Sequence, residues 1–174
     1  WCQTRPETVT KKRVQQLIDI GLFRMAFGVE HGNEEFRKKY IQRNMKNEVI
    51  INALQIMDTL DVKYSVNNIL GFPHETRKLT FDTIELNRHF FPDSTNAYSF
   101  SPFHGTLLRK IAEQNGYIKK GLIARSATKP TKLNMPQYTA DQIEGMRRCF
   151  ILYVKLPKKR WPEIEKAEAQ TPEG

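Results

Sequence analysis

Cysteine is scarce. The 174-residue chain has only Cys2 and Cys149, too few for a disulfide framework and too far apart for a metal-binding pair, so both read as reduced thiols. No stretch is long and apolar enough for a membrane-spanning helix, so no membrane partner is expected and the protein is expected in the cytoplasm. The chain opens at Trp1 without a charged-then-apolar leader, and reads as cut from something longer. It holds neither a P-loop nor a Gly-x-Gly-x-x-Gly run, which disfavours an unrelated α/β enzyme with a phosphate site at a strand end. The only internal repetition is an alternation of strand and helix patterns.

Positive charge, by contrast, is plentiful. A net charge of +9 raises the alternative of a basic, noncatalytic nucleic-acid-binding α/β module, because a clustered basic surface is the usual footprint of such proteins. Lys11-Lys12-Arg13, Arg37-Lys38-Lys39 and Lys158-Lys159-Arg160 are separate runs with no aromatic stacking platform between them, and read as solvated faces.

Taken in order, Trp1 to Thr4 ends a strand, and Val9, Val14, Leu17 and Ile18 recur at helical spacing before Gly21. Met25 to Val29 is a short apolar strand, followed by a small basic helix around Phe36 and Tyr40. A longer helix follows, with Asn47 as its N-cap and Ile50, Ala53, Leu54, Met57 and Leu60 as its buried stripe. The run from Tyr64 to Leu70 suits a strand covered on both faces and stops at Gly71 and Pro73. A helix starting after Thr76 and carrying Phe81, Ile84, Glu85 and Phe91 is expected to stop before Pro92. Thr95 to Phe100 reads as a further strand, and Thr106 caps a helix with Leu107, Leu108, Ile111 and Ala112. Strand and helix alternate this far, which calls for a parallel sheet. Ile118 to Pro136 reads as an irregular basic excursion. Thr139 and Gln142 then have capping-box spacing before a helix with Ile143, Met146, Phe150 and Tyr153. Pro157 breaks that helix, Trp161-Pro162 starts another, and Gln170–Gly174 has no core-forming content.

Three stretches in order, Gly28-Val29-Glu30-His31-Gly32, Asn68-Ile69-Leu70-Gly71-Phe72-Pro73-His74-Glu75-Thr76 and Pro102-Phe103-His104-Gly105-Thr106, resemble strand-end motifs of the radical S-adenosylmethionine (radical SAM) enzymes. The nearest subgroup is the cobalamin-binding type. The resemblance implies an α/β fold, a partial TIM-like (βα) barrel of three to four parallel strands with flanking helices and a C-terminal helical extension. The corresponding segments are 1–116 for the partial barrel, 117–137 for a basic linker and 138–174 for the extension.

The same resemblance implies a fragment of an enzyme that binds S-adenosylmethionine next to a 4Fe-4S cluster and generates a 5′-deoxyadenosyl radical, with cobalamin as a further cofactor of the full-length protein. An electron donor for the cluster and a substrate, a small molecule or one the sequence does not identify, are the implied partners. By motif position, Glu30 resembles the acceptor for ribose hydroxyls or the methionyl ammonium. Arg43 resembles the grip on the methionyl carboxylate, for which guanidinium has the matching fork. Asn67 or Asn68 would hold the ribose, Ile69 and Phe103 would give apolar contact to adenine, and Gly71 would let the cofactor approach the backbone. Gln3 stands near a position where related enzymes often carry glutamate. His31, His74 and His104 fall on the same face by motif position, at spacings that specify no metal site. The family's three cluster cysteines, at C-x-x-x-C-x-x-C spacing, have no counterpart here and are expected upstream of Trp1.

Overall fold

The computed structural model describes residues 1–169. Its elements are β1 (Cys2–Thr4), α1 (Lys11–Asp19), β2 (Arg24–Glu30), α2 (Glu34–Tyr40), α3 (Asn47–Met57), β3 (Lys63–Leu70), α4 (Arg77–Asn87), β4 (Ser94–Ser99), α5 (Leu107–Gln114), α6 (Ala140–Lys155) and α7 (Trp161–Ala167). The strands form one sheet in the order β1-β2-β3-β4, with Gln3 beside Ala26 and Phe27 beside Val66 in parallel register. Each strand neighbours the next in sequence, and helical crossovers return the chain to start every strand from the same end. This is the parallel α/β architecture expected from the alternation. Among the described residues, no helix is long and apolar enough to cross a membrane.

The chain divides into two compact units, Trp1–Asn68 with Phe81–Asn96, and Ile69–Thr80 with the chain from Ala97 onward. In the first unit, Phe27, Val29 and Val66 from the sheet and Ile50, Leu54 and Met57 from α3 make a dry core, each at most 1% exposed. At roughly 1.5–3 kcal/mol for each large apolar side chain buried, this cluster fixes the positions of β2 and β3. Thr10 caps α1 and Asn33 caps α2, each accepting a backbone N–H from three residues further on.

The structure corrects three local expectations in this unit. Lys46, not Asn47, is the N-cap of α3, and the Asn47 side chain bonds elsewhere. Helix α4 ends at Asn87, well short of Pro92, so the following turn buries Phe90 and leaves Phe91 76% exposed. Arg37, expected on a solvated face, is completely buried.

In the second unit, α6 carries the expected capping box between Thr139 and Gln142, and it buries Ile143, Met146, Phe150 and Tyr153. Leu107, at the start of α5, is half exposed. Glu168 gathers bonds from Arg77, from the Tyr153 hydroxyl and, at its backbone carbonyl, from Arg148. The segment 117–137 contains no helix and takes part in only one isolated bridge, between Met135 and Tyr138. It is nonetheless held. Ser99 N–H donates to Ala127 O at 2.9 Å, the Ser101 hydroxyl donates to Arg125 O at 2.5 Å, and Leu133 and Met135 are fully buried. The expectation of a tail without a core, Gln170–Gly174, lies outside the described residues.

Candidate cofactor site at the ends of β1 and β2

The backbone of β2 breaks register at its end. Gly28 pairs with Asn67 and Glu30 with Asn68, so an irregularity of the bulge type sits between them and re-aims the Glu30 side chain. Glu30 takes φ 70°, the left-handed region where a residue with a Cβ is strained; such strain persists where surrounding structure holds it, often at functional sites. Its carboxylate folds back over Gly28. A Cβ on Gly28 would stand 2.4 Å from Glu30 Oε1, so only glycine leaves room for the carboxylate there.

Arg43 arrives from the chain after α2. Its Nη1 donates to Gly28 O at 3.0 Å and lies 3.4 Å from Glu30 Oε1. Its Nη2 is buried and has no hydrogen-bond partner among the described residues. An unpaired buried guanidinium nitrogen is costly, and a ligand with an acceptor at that point relieves the cost. Burial pushes the Glu30 carboxyl above its ordinary value, and the Arg43 charge opposes that shift. The pair opens onto a pocket of about 950 Å³, lined also by Gln3 and Thr4 of β1, Arg5, Glu7 and Gln42. Gln3, without an assigned task in the sequence, is therefore on the wall of this pocket.

The other motif residues separate into distinct roles. Asn68 is fully buried, and its side-chain amide exchanges two hydrogen bonds with Asn87, at 3.1 and 2.9 Å. A further bond to Asn96 O occupies its second proton, so Asn68 is a core residue and not a ribose holder. Asn67 is half-buried. Its Oδ1 accepts from Asn96, while its Nδ2 has no partner among the described residues, so Asn67 is the asparagine of the two with a donor to offer. Ile69 is half-buried on β3, and Phe103 is 56% exposed in the loop before α5.

Gly71 is the main correction at this level. Its φ is +83°, and a Cβ there would meet two carbons of Ile143 at 3.0 Å, so the space beside it is filled by α6. Its N–H is also taken, donating to Glu75 Oε2 at 2.6 Å. Gly71 thus serves backbone conformation and packing, with its Cβ side and its N–H both taken up within the fold.

The histidines do not form a cluster. His31 is buried, stacks on Phe36 at 4.4 Å, and its Nδ1 accepts from Asn33 N–H. His74 has φ 67° and meets Tyr117 edge-on, and His104 is exposed. No group of three or more His, Cys, Asp or Glu among the described residues is placed to hold a metal. Two residues escaped the sequence reading. Arg37 looked like one member of a basic run, and only Phe36 and Tyr40, flanking it on the helix, hinted that its face turns inward. Glu75 is completely buried and closes the turn after β3, a role its place three residues after Phe72 does not reveal.

Comparisons with known proteins bear on the sequence and the fold of this chain. Residues 2–86 match the model of the radical SAM superfamily. The chain is 30% identical over 86 residues to a tRNA-2-methylthio-N(6)-dimethylallyladenosine synthase of Halalkalibacterium halodurans, covering 49% of this chain and 16% of that protein. It is 28% identical over 116 residues to an oxygen-independent coproporphyrinogen III oxidase of Helicobacter pylori, covering 64% of this chain and 25% of the relative. The coproporphyrinogen III oxidase HemN of Escherichia coli, described as a radical SAM enzyme, superposes with a TM-score of 0.58 at 18% identity, over 87% of this chain and 31% of its own. The chain thus spans less than a third of each of these proteins. The matched segment takes in β1, β2, β3, the Glu30–Arg43 pair and nearly all of α4.

Proposed function

We propose that this chain supplies the S-adenosylmethionine-binding part of a radical SAM enzyme, with the Glu30–Arg43 pair holding the aminocarboxylate end of the cofactor. The observation that carries the reading is the unpaired, buried Nη2 of Arg43 beside a strained, half-buried carboxylate. A site with one free cationic donor and one anionic acceptor side by side is complementary to a zwitterion. Arg43 donates to the carboxylate through the nitrogen it does not spend on Gly28 O, and Glu30 accepts from the ammonium. Asn67 Nδ2 is the donor offered to a ribose hydroxyl. The bound cofactor supplies a 5′-deoxyadenosyl group released as a radical on one-electron reduction; the protein binds and orients it.

The residues present do not fit the 4Fe-4S cluster. The chain has two cysteines against the three thiolates the family uses, Cys149 is buried with its thiol pushed up chiefly by desolvation, and no metal-holding group occurs among the described residues. Cluster binding and the electron donor are assigned to the protein that carries this chain and not to these residues. Reductive chemistry of this kind is consistent with a cytoplasmic setting. The matched family and relatives are described without reference to cobalamin, and that expectation rests on motif resemblance alone.

The test is calorimetric titration with S-adenosylmethionine and with 5′-methylthioadenosine, which lacks the aminocarboxylate. The wild type is expected to prefer S-adenosylmethionine by tenfold or more, and Arg43→Ala to bind the two alike, the discrimination of about 1.5–3 kcal/mol for a charged hydrogen bond being lost. Equal affinity of the wild type for both compounds would remove the pair from the site.

A further inference from the structure

We infer that Arg37 is a positioning residue for the cofactor pair: a buried guanidinium that locks the loop carrying Glu30 to the loop carrying Arg43. The inference rests on the proposed cofactor site and deepens it.

Arg37 lies on α2, between the two segments in sequence, and bonds to both in space. Nη1 donates to His31 O at 2.6 Å, just beyond Glu30. Nη2 donates to Met45 O, two residues beyond Arg43, and to Asn47 Oδ1 at 3.0 Å. The backbone carbonyl of Arg37 accepts from Ile41 N–H at 3.1 Å and from Arg43 N–H at 3.2 Å, so the same residue fixes where Arg43 leaves the helix. Asn47 completes the lock. Its Nδ2 donates to Gly32 O at 2.7 Å, and its own N–H is held by Glu34 Oε1. The loop from His31 to Asn33 is tied on its other side, where Gly32 N–H donates to Thr83 Oγ1 and Asn33 Nδ2 to Asp82 Oδ2.

These acceptors are carbonyls and an amide. No carboxylate forms an ion pair with Arg37 among the described residues, and burial lowers its pKa. A fully buried cation held by neutral acceptors is an expensive way to obtain stability, since apolar residues of similar volume fill such space at less cost. What guanidinium does that an apolar side chain cannot is bridge acceptors on two separate loops in one plane. Those loops deliver Glu30 at φ 70° and Arg43 with an unmade bond, an arrangement that relaxes unless something holds both ends. Displacement by 1 Å is enough to degrade a charged recognition site.

The experiment compares the wild type with Arg37→Met, Arg37→Lys and Leu54→Ala, the last being a core truncation in α3 with no bond to either loop. Two quantities are read for each: segment-resolved amide hydrogen exchange without ligand, and affinity for S-adenosylmethionine at a temperature where every variant is folded. Arg37→Met is expected to speed exchange tenfold or more in 28–33 and 41–47 while leaving 63–68 unchanged, and to weaken binding at least tenfold. Arg37→Lys, whose ammonium lacks the planar fork, is expected to fall between. Leu54→Ala is expected to lower Tm without weakening binding in the folded molecules. Exchange that rises uniformly in Arg37→Met, or binding equal to wild type despite faster loop exchange, overturns the inference. A wild type that shows the expected loop protection but no binding overturns the cofactor reading instead, so the two failures are separable.

Discussion

Strands β2 and β3 end alike on paper, with a glycine at or just past the strand's end (Gly28, Gly71) and a glutamate shortly after it (Glu30, Glu75). The two ends do opposite things. At the end of β2, Gly28 leaves space that the Glu30 carboxylate occupies, and that carboxylate has a single loose partner in Arg43 at 3.4 Å. At the end of β3, the space beside Gly71 is filled by Ile143, and both oxygens of Glu75 are spent, Oε2 on the N–H groups of Gly71 and Phe72 and Oε1 on the Thr80 hydroxyl. A carboxylate whose acceptors are all used within the fold is a staple, whereas one with capacity left is available to a ligand. The difference lies in which bonds remain unmade, which residue identity does not disclose.

Breaking the β3 staple is expected to give the largest effect. Glu75→Ala strands the buried backbone N–H groups of Gly71 and Phe72 and removes one of the partners of the Thr80 hydroxyl, and should lower unfolding free energy by about 3–5 kcal/mol, measured by denaturant titration. Gly71→Val comes next, at about 2–4 kcal/mol, because it imposes a branched side chain at φ +83° and forces it against Ile143. Cofactor affinity in the molecules that remain folded should be normal, and a selective loss of affinity at unchanged Tm would return Gly71 to the binding site.

The β2 end should respond the other way. Glu30→Ala and Arg43→Ala are each expected to weaken S-adenosylmethionine binding by about 1.5–3 kcal/mol, with stability changed by less than about 1 kcal/mol. A drop in Tm comparable to that of Glu75→Ala would erase the contrast. The smallest effect concerns pH. The folded-state pKa of Glu30 is raised, so between the ordinary carboxylate value and the raised one the folded state binds more protons than the unfolded state, and stability falls as pH rises through that window. Glu30→Gln cannot ionise and should remove this fall, seen as a converging difference in unfolding free energy when the two proteins are compared from about pH 4 to about pH 7.

Much of this was legible in sequence because it depends on near neighbours. Thr139 and Gln142 meet across one helical turn, and the structure has the capping box between them. Apolar spacing in Ile50, Ala53, Leu54 and Met57 fixes a helix face for any fold that buries it. The Glu30–Arg43 pair was reached only through motif position, since a separation of 13 residues carries no local signal. Asn67 and Asn68 show the limit clearly. Period-two alternation guarantees that they face opposite ways, but the choice of face was made by Asn87, 19 residues on.

What the sequence determined by itself was the order of strands and helices, their parallel pairing and the points where motifs stand, because hydrophobic period, caps and turn residues act over a few positions. Only the tertiary structure decided the roles of Arg37, Glu75 and Gly71. A guanidinium in a basic run is a solvated charge until two loops bring carbonyls to it, a glutamate is a surface residue until a turn closes on it, and a glycine serves a ligand or a neighbouring helix according to what lies where its Cβ would be. Those outcomes depend on long-range packing that satisfies or leaves open individual polar atoms, and composition and spacing contain no record of it.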